Sequence, residues 1–334
     1  MLSTIIAMTL PTELYYDEKG LSMGYSYAII GDVTCDLSKE MRERFEVDGY
    51  IKGHITIPGG KEVPSLLEWD STNARDFYTS LKSRRHDYST APASAEEIAD
   101  CWEAFLSEGK DILALSISSA MSVTYNLMVN AQKTLQGKYP ERKIIVVDSR
   151  KYSSALGLLV IKACELRKSG LSIEDNAGRL EQIKSTIHQM GTLDDLFFIA
   201  SQGRVSHPKA FLGTLVGIKP MGDFDSDGMV TVLAKVKGYE KAYKVTIEYI
   251  KKTITHPEDQ IVLVAQTLRE KQADVLAGLI REKIGPREVI LTDVYPASGV
   301  NLGPGLLGAY YTGSPITDLA RETEIMKSIL ENIE

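Results

Sequence analysis

Residues 111–126 read DILALSISSAMSVTYN. The run 112–117 is short and apolar, the composition of a strand covered on both faces. It ends in a cluster of hydroxyls, Ser118, Ser119, Ser122 and Thr124. A helix-like segment, 122–135, follows at once. Hydroxyls set between a strand and the first turn of a helix make an anion site, because unpaired N–H groups and the positive dipole end face the same loop. Water, a carboxylate or a phosphate would each satisfy such a loop.

Working outward, the same alternation recurs. Strands are predicted at 27–30, 51–57 and 144–147, and helices at 39–45, 74–82, 95–109 and 154–168. Ser94 and Glu97 have capping-box spacing, and Gly109 supplies the stop. Strands alternating with helices imply parallel crossovers, so the first half is expected to be a mostly parallel sheet with helices on both faces. A Gly/Ser break at 168–172 suggests a boundary. Beyond it the pattern predicts a helix over 173–190, a strand at 197–200, an apolar helix at 210–217 and a hairpin centred on 223–228 that leads to a strand at 229–236. A helix at 240–252, a strand at 260–265, a helix at 269–284 and a strand at 288–294 follow. A Gly-rich loop at 298–308 and a helix at 317–333 close the pattern. The fold class is therefore α/β in two domains, 25–169 and 170–334, the second a mixed sheet with helices, preceded by an extension, 1–24.

The 334 residues carry 38 Lys and Arg against 45 Asp and Glu, a net charge of −7, which argues against a basic nucleic-acid face. Three cysteines, Cys35, Cys101 and Cys164, lack CxxC spacing, so no disulfide framework is expected and a cytoplasmic setting fits. Five histidines show no ligand spacing, and neither a metal nor any other cofactor is expected. The apolar start, MLSTIIAMTLP, lacks a basic segment and is too short to span a bilayer, so no stable membrane insertion is expected.

Three motifs have plain readings. Gly303-Pro-Gly-Leu-Leu-Gly308 matches GxGxxG, but only one helix follows and no βαβ unit can form; a tight loop placing backbone N–H groups near a ligand fits better. Asp223-x-Asp225-x-Asp227-Gly228 opens like a calcium loop, yet position twelve is Ala234 where a bidentate Glu is required, so a hairpin turn is expected. In Gln202-Gly203-Arg204-Val205-Ser206 a lone arginine is either a surface cation or a guanidinium suited to a carboxylate or phosphate. Ser89-Thr90-Ala91-Pro92 is a second hydroxyl loop before a capped helix, and it can converge with 118–124 on one anion.

In order, GDVTCDL, STAPAS, SISSAMSVTYN, VVDS, SQGRVS, LVGIKPM and NLGPGLLG resemble the motifs of the DegV family of bacterial fatty-acid-binding proteins, over 26–313. The resemblance implies two α/β domains holding one long-chain fatty acid, tail buried, and presentation of that acid to a separate fatty acid kinase. It implies that the protein itself is not an enzyme. The family's carboxylate-binding Thr of TSQP falls on Ser89, its Ser of SGT on Ser122 and its Arg of GGRI on Arg204. Thr90, Ser119 and Thr124 lie in the same motifs. Three positions depart from the pattern: Val33 replaces Ser, Val123 replaces a Gly whose site its branched side chain can crowd, and Asn301 replaces His. Asn301 donates and accepts hydrogen bonds but cannot become cationic, which bears on the kinase step more than on lipid binding.

The chemistry suits such a ligand. About fifteen methylenes at about 0.8 kcal/mol each contribute on the order of 12 kcal/mol, and apolar walls suffice. Leu212, Leu215, Val216 and Ile218 are candidate walls. A buried carboxylate without partners would cost several kcal/mol or protonate. Hydroxyls satisfy it, at about 1.5–3 kcal/mol per charged hydrogen bond. Two other readings stand beside the carrier: an acyl hydrolase or transferase with Ser119 or Ser122 as nucleophile, and a ligand-free regulatory or interaction module. The first lacks a GxSxG elbow and an evident base.

Overall fold

The computed structural model describes residues 24–69, 72–195, 198, 200, 203–206 and 217–333. The first half runs β1 (Tyr27–Asp32), α1 (Lys39–Arg44), β2 (Gly49–Ile51), β3 (His54–Ile57), β4 (Lys61–Pro64), α2 (Ala74–Ser83), β5 (Ser89–Ala91), α3 (Ala95–Ser107), β6 (Asp111–Ser116), α4 (Thr124–Lys138), β7 (Ile144–Asp148) and α5 (Ser154–Lys168). The second half continues α6 (Ile173–Ile183), β8 (Ile187–Thr192), β9 (Ile218–Phe224), β10 (Val230–Lys237), α7 (Gly238–Thr253), β11 (Ile261–Gln266), α8 (Glu270–Lys283), β12 (Glu288–Asp293), α9 (Pro296–Leu302), β13 (Leu307–Thr312) and α10 (Ala320–Asn332).

The first sheet is parallel, in the order β2-β1-β6-β7. Side chains alternate along β1, so each face gets its own core. Ala28 and Ile30 pack with Trp102 and Met128 of α3 and α4, while Tyr27 and Ile29 pack with Leu158 and Leu180 of α5 and α6. That two-sided burial is why residues 112–115 of β6 read as an unbroken apolar run. The capping box at Ser94 and Glu97 closes reciprocally and fixes the start of α3.

The second sheet is mixed, in the order β10-β9-β8-β13-β11-β12, with β11 and β12 parallel and the other pairs antiparallel. Helices α7, α8 and α10 cover one face. On the other lies α5, whose residues 154–161 are all buried. It packs against β1 and β6 of the first sheet and β8, β11 and β13 of the second. Gly157 is required there: a Cβ would sit 2.3 Å from the carbonyl oxygen of Cys35. Helix α6, beyond the break at 168–172, packs on β6 and β7. Among the described residues no helix is long and apolar enough to cross a membrane.

Several expected elements differ. The strand expected at 51–57 is two: β2 stays in the parallel sheet, while β3 joins β4 and β5 in a small antiparallel sheet. Gly53 sits at the break, where a Cβ would lie 2.9 Å from the carbonyl oxygen of Ala91. The helix expected over 173–190 stops at Ile183. Ser185 and Thr186 turn their hydroxyls onto the carbonyls of Gln182 and Ile183, and the chain then enters β8. Phe198 and Ala200 are helical rather than extended. The loop expected at 298–308 contains α9 and the start of β13, an interior strand whose partners β8 and β11 lie far away in sequence. The helix expected at 210–217 lies almost wholly outside the described residues.

Candidate functional site

In the first sheet the chain leaves β1 toward β2 on one side and returns through β6 on the other. Such a reversal opens a crevice at the carboxyl ends of the two strands. A pocket lies there. Asp32, Val33 and Thr34 come from the end of β1, and Ile117, Met121, Ser122 and Thr124 from the segment after β6. The small sheet adds Gly53, His54, Thr90 and Ala91, α9 adds Ala297 and Asn301, and Tyr152 and Arg204 complete the wall.

Hydroxyls and acceptors interleave in this pocket. Ser122 Oγ and Thr124 Oγ1 share a hydrogen bond at 2.7 Å, and Ser122 Oγ also accepts from the Thr124 N–H at 3.2 Å. Asn301 Nδ2 donates to Thr90 Oγ1 at 3.4 Å and to the Ala297 carbonyl at 3.1 Å. Asp32 Oδ1 accepts from both the N–H and the hydroxyl of Thr34, at 2.8 and 2.7 Å. Burial pushes the Asp32 carboxyl above the usual carboxylate range, against those hydrogen bonds. Burial likewise raises the Tyr152 phenol, whose hydroxyl donates to the Ser298 carbonyl at 2.9 Å. His54 Nε2 lies 3.0 Å from Glu97 and its Nδ1 3.6 Å from Glu62. The Ser94 N–H, followed by His54, holds the Glu97 carboxyl below its ordinary range.

Tyr152 also lines a second cavity, which is apolar. Val205, Val230, Val232, Leu302, Leu306 and Leu307 are among its walls. Pro220 and Gly222 of β9 line it too. A pocket of hydroxyls and a greasy cavity thus meet at one aromatic ring.

The family model described as an uncharacterised protein of the DegV family matches residues 26–313. The chain belongs to the DegV family. A DegV domain-containing protein of Clostridium perfringens is 30% identical over 287 residues, 86% of this chain and 97% of that one. Among solved structures, a fatty-acid-binding DegV family protein from Thermus thermophilus superposes with a TM-score of 0.77 at 22% identity, covering 86% of this chain and all of the other. DegV from Bacillus subtilis, a fatty acid binding protein, matches with a TM-score of 0.71 at 25% identity over 87% of this chain and all of its own.

Of the candidate residues, Thr90, Ser122, Thr124, Arg204 and Asn301 come together in this DegV pocket. Ser89 and Ser119 do not line it. In β5, Ser89 pairs with Thr56 and Thr90 with Ile55, and alternation turns Thr90 inward and leaves Ser89 exposed. Ser119 is exposed and donates its hydroxyl to Asp148 Oδ2 at 2.6 Å. Arg204 is half-buried and makes a contact of its own within the protein. Val123 does not crowd the pocket; its side chain is 59% exposed.

The glycine loop spends its amides elsewhere. Gly305 N–H donates to the Thr267 carbonyl and Leu306 N–H to the Thr267 hydroxyl. The tip of the β9–β10 hairpin is likewise self-satisfied: Asp225 accepts from the N–H groups of Asp227 and Met229 and from the Ser206 hydroxyl. Among the described residues, His256, Glu258 and Asp259 form one grouping of metal-ligating types; all three are exposed and none lines the pocket. Leu212, Leu215 and Val216 lie outside the described residues, and Ile218 is half-buried without lining the apolar cavity.

Sequence reasoning missed Thr34, His54 and Tyr152 as pocket residues. Thr34 was within reach, because it follows the first strand of a parallel sheet at its carboxyl end. His54 and Tyr152 enter only through tertiary packing.

Proposed function

We propose that this protein binds one long-chain fatty acid, with its carboxyl group in the pocket of Thr90, Ser122 and Thr124 and its tail in the apolar cavity behind Tyr152. One observation carries the reading: a hydroxyl pocket and an apolar cavity share the Tyr152 wall, the division of chemistry that a lipid with one polar end requires. The fatty-acid-binding relatives from Thermus thermophilus and Bacillus subtilis support it. The three cysteines are free, which suits a reducing cytoplasm.

The role is that of a carrier. Ser122 shares its hydroxyl with Thr124, and Ser119, bonded to Asp148, is exposed and does not line the pocket, so the pocket presents no serine paired with a base. Presentation to a fatty acid kinase is the corresponding partner reaction, and a kinase supplied with ATP and the loaded protein would reveal it as acyl phosphate. The primary test is mass spectrometry of purified protein after denaturation. A stoichiometric long-chain fatty acid is expected. An empty protein that also fails to take up added fatty acid overturns the reading.

A further inference from the structure

Four neighbouring strands each put one residue into a single row across the second sheet. Gly308 of β13 pairs with Gly191 of β8, Gly191 with Gly222 of β9, and Gly222 with Val232 of β10. All four residues line the apolar cavity. Ala309, Met190 and Met221, each adjacent to one of the glycines, pack under the outer helices, so alternation turns the glycines to the opposite face, toward the cavity. Two of these positions must stay bare. A Cβ at Gly191 would run into the carbonyl oxygen of Leu307, and one at Gly222 into that of Thr231. At Gly308 a Cβ would lie 3.3 Å from the Tyr310 ring.

A cavity wall without side chains over three adjacent strands is a trough that crosses those strands. With about 4.8 Å between neighbours, it runs about 14 Å from β13 to β10. Its β13 end adjoins the hydroxyl pocket. Tyr310 of β13 is hydrogen-bonded to Ser153, and Ser153 follows Tyr152, the ring that both chambers share. From that end, Val232 is the first side chain met in the row. Val230 and Val205, bridged to each other, also line the cavity on the β10 side.

Resting on the lipid reading of the site, we propose that Val232 sets the length of the bound tail. The tail leaves the carboxyl pocket at Tyr152, crosses β13, β8 and β9 over the glycine row and ends with its terminal methyl group against Val232. The floor is backbone whose polar groups are engaged in the sheet, so methylenes can lie on it without stranding a donor or acceptor. A chain that reaches Val232 buries all of its methylenes. A shorter one leaves part of the trough unfilled, and a longer one must fold back or push Val232 aside. The ligand class is then a fatty acid matched to a fixed run, rather than any chain above a minimum length.

The test uses delipidated full-length protein and a fluorescent long-chain fatty acid as displaceable probe, with saturated acids of increasing length as competitors. The unaltered protein is expected to prefer one length, with affinity falling on either side. Val232 is half-buried, and Val232→Ala, which removes the stop, is expected to move the preference to a longer acid. Gly308→Ala puts a methyl group under the start of every tail. It is expected to weaken all lengths alike, by about tenfold, without moving the preference. A preference that Val232→Ala leaves in place overturns the proposal, as does a loss in Gly308→Ala confined to the longest acids. Affinity that simply climbs with length in the unaltered protein overturns it too. If one variant does not fold, as judged by circular dichroism, the other variant and the length profile of the unaltered protein decide. Acids that bind without the expected preference sink this inference and leave the lipid reading in place; failure of every acid and of the probe to bind the unaltered protein overturns the lipid reading itself.

Discussion

The Tyr152 hydroxyl donates to the Ser298 carbonyl at 2.9 Å, joining residues 146 apart in the chain. The bond ties the segment between β7 and α5 to α9, the helix that bears Asn301. One side chain thereby divides the hydroxyl pocket from the apolar cavity and holds the helix that closes the pocket.

Tyr152→Phe keeps the dividing ring and removes that bond. The Ser298 carbonyl then loses this second donor and keeps its place in the helical ladder, so the expected cost is about 0.5–1.5 kcal/mol of unfolding free energy. Lipid affinity should fall with it, since Asn301 loses a fixed neighbour. Urea melts and probe displacement on the same protein measure both; an unchanged midpoint would mean the bond contributes nothing.

Thr90→Val with Ser122→Ala removes pocket hydroxyls with little change of volume. The fold should persist, and copurified fatty acid should drop to a small fraction of the unaltered level. Ser89→Ala, one residue away on the outward face of β5, should retain full lipid. Lipid quantified by mass spectrometry separates the two, and equal losses from both proteins would contradict the strand register.

Val232→Trp places an indole in the apolar cavity. Long-chain acids should weaken by about tenfold or more, since each displaced methylene is worth about 0.8 kcal/mol. Short-chain acids should lose far less. Competition across a chain-length series reads this directly, and uniform loss at every length would argue that the tail lies elsewhere.

Asp36 gives a pH signature. It is wholly buried where the two sheets meet; its Oδ2 accepts from the Ser153 hydroxyl at 2.5 Å and its Oδ1 from the Tyr295 N–H at 2.9 Å. Burial pushes its carboxyl up to about 7. A carboxyl whose pKa rises on folding favours the native state in its protonated form. That contribution is fully present below the unfolded value near 4 and disappears as pH climbs through about 7. Asp36→Asn retains the shape, with Oδ1 accepting from Tyr295 and Nδ2 donating to Ser153. Relative to the unaltered protein its stability should rise between about pH 4 and pH 7, by on the order of 3–4 kcal/mol in total. Paired denaturation curves at several pH values test this; a difference that stays flat would mean Asp36 does not titrate there.

How legible was this in the amino acids? The capping box of Ser94 and Glu97 and the limits of α5 could be read directly, because each depends on local hydrogen bonds or an unbroken apolar run. Both faces of the parallel sheet were legible for the same reason. β8 and β13 were not. Each owes its strand state to a partner more than a hundred positions away, and a glycine-rich segment such as 303–308 looks like a loop until that partner is in place. At the site, the two hydroxyl loops could be found, but not which of Ser89 and Thr90 faces inward. A shift of one residue reverses that answer, and only pairing with β3 decides it.

Helix α5 bears on how the proposed lipid would get in. Because it is wedged between two sheets, with residues 154–161 all buried, prising the halves apart would strip both of its sides at once. A hinge at that seam would expose apolar surface that α5 buries against both sheets. On the proposed lipid reading, the tail is expected to enter through small local shifts at the lip of the chamber while the frame behind it stands still.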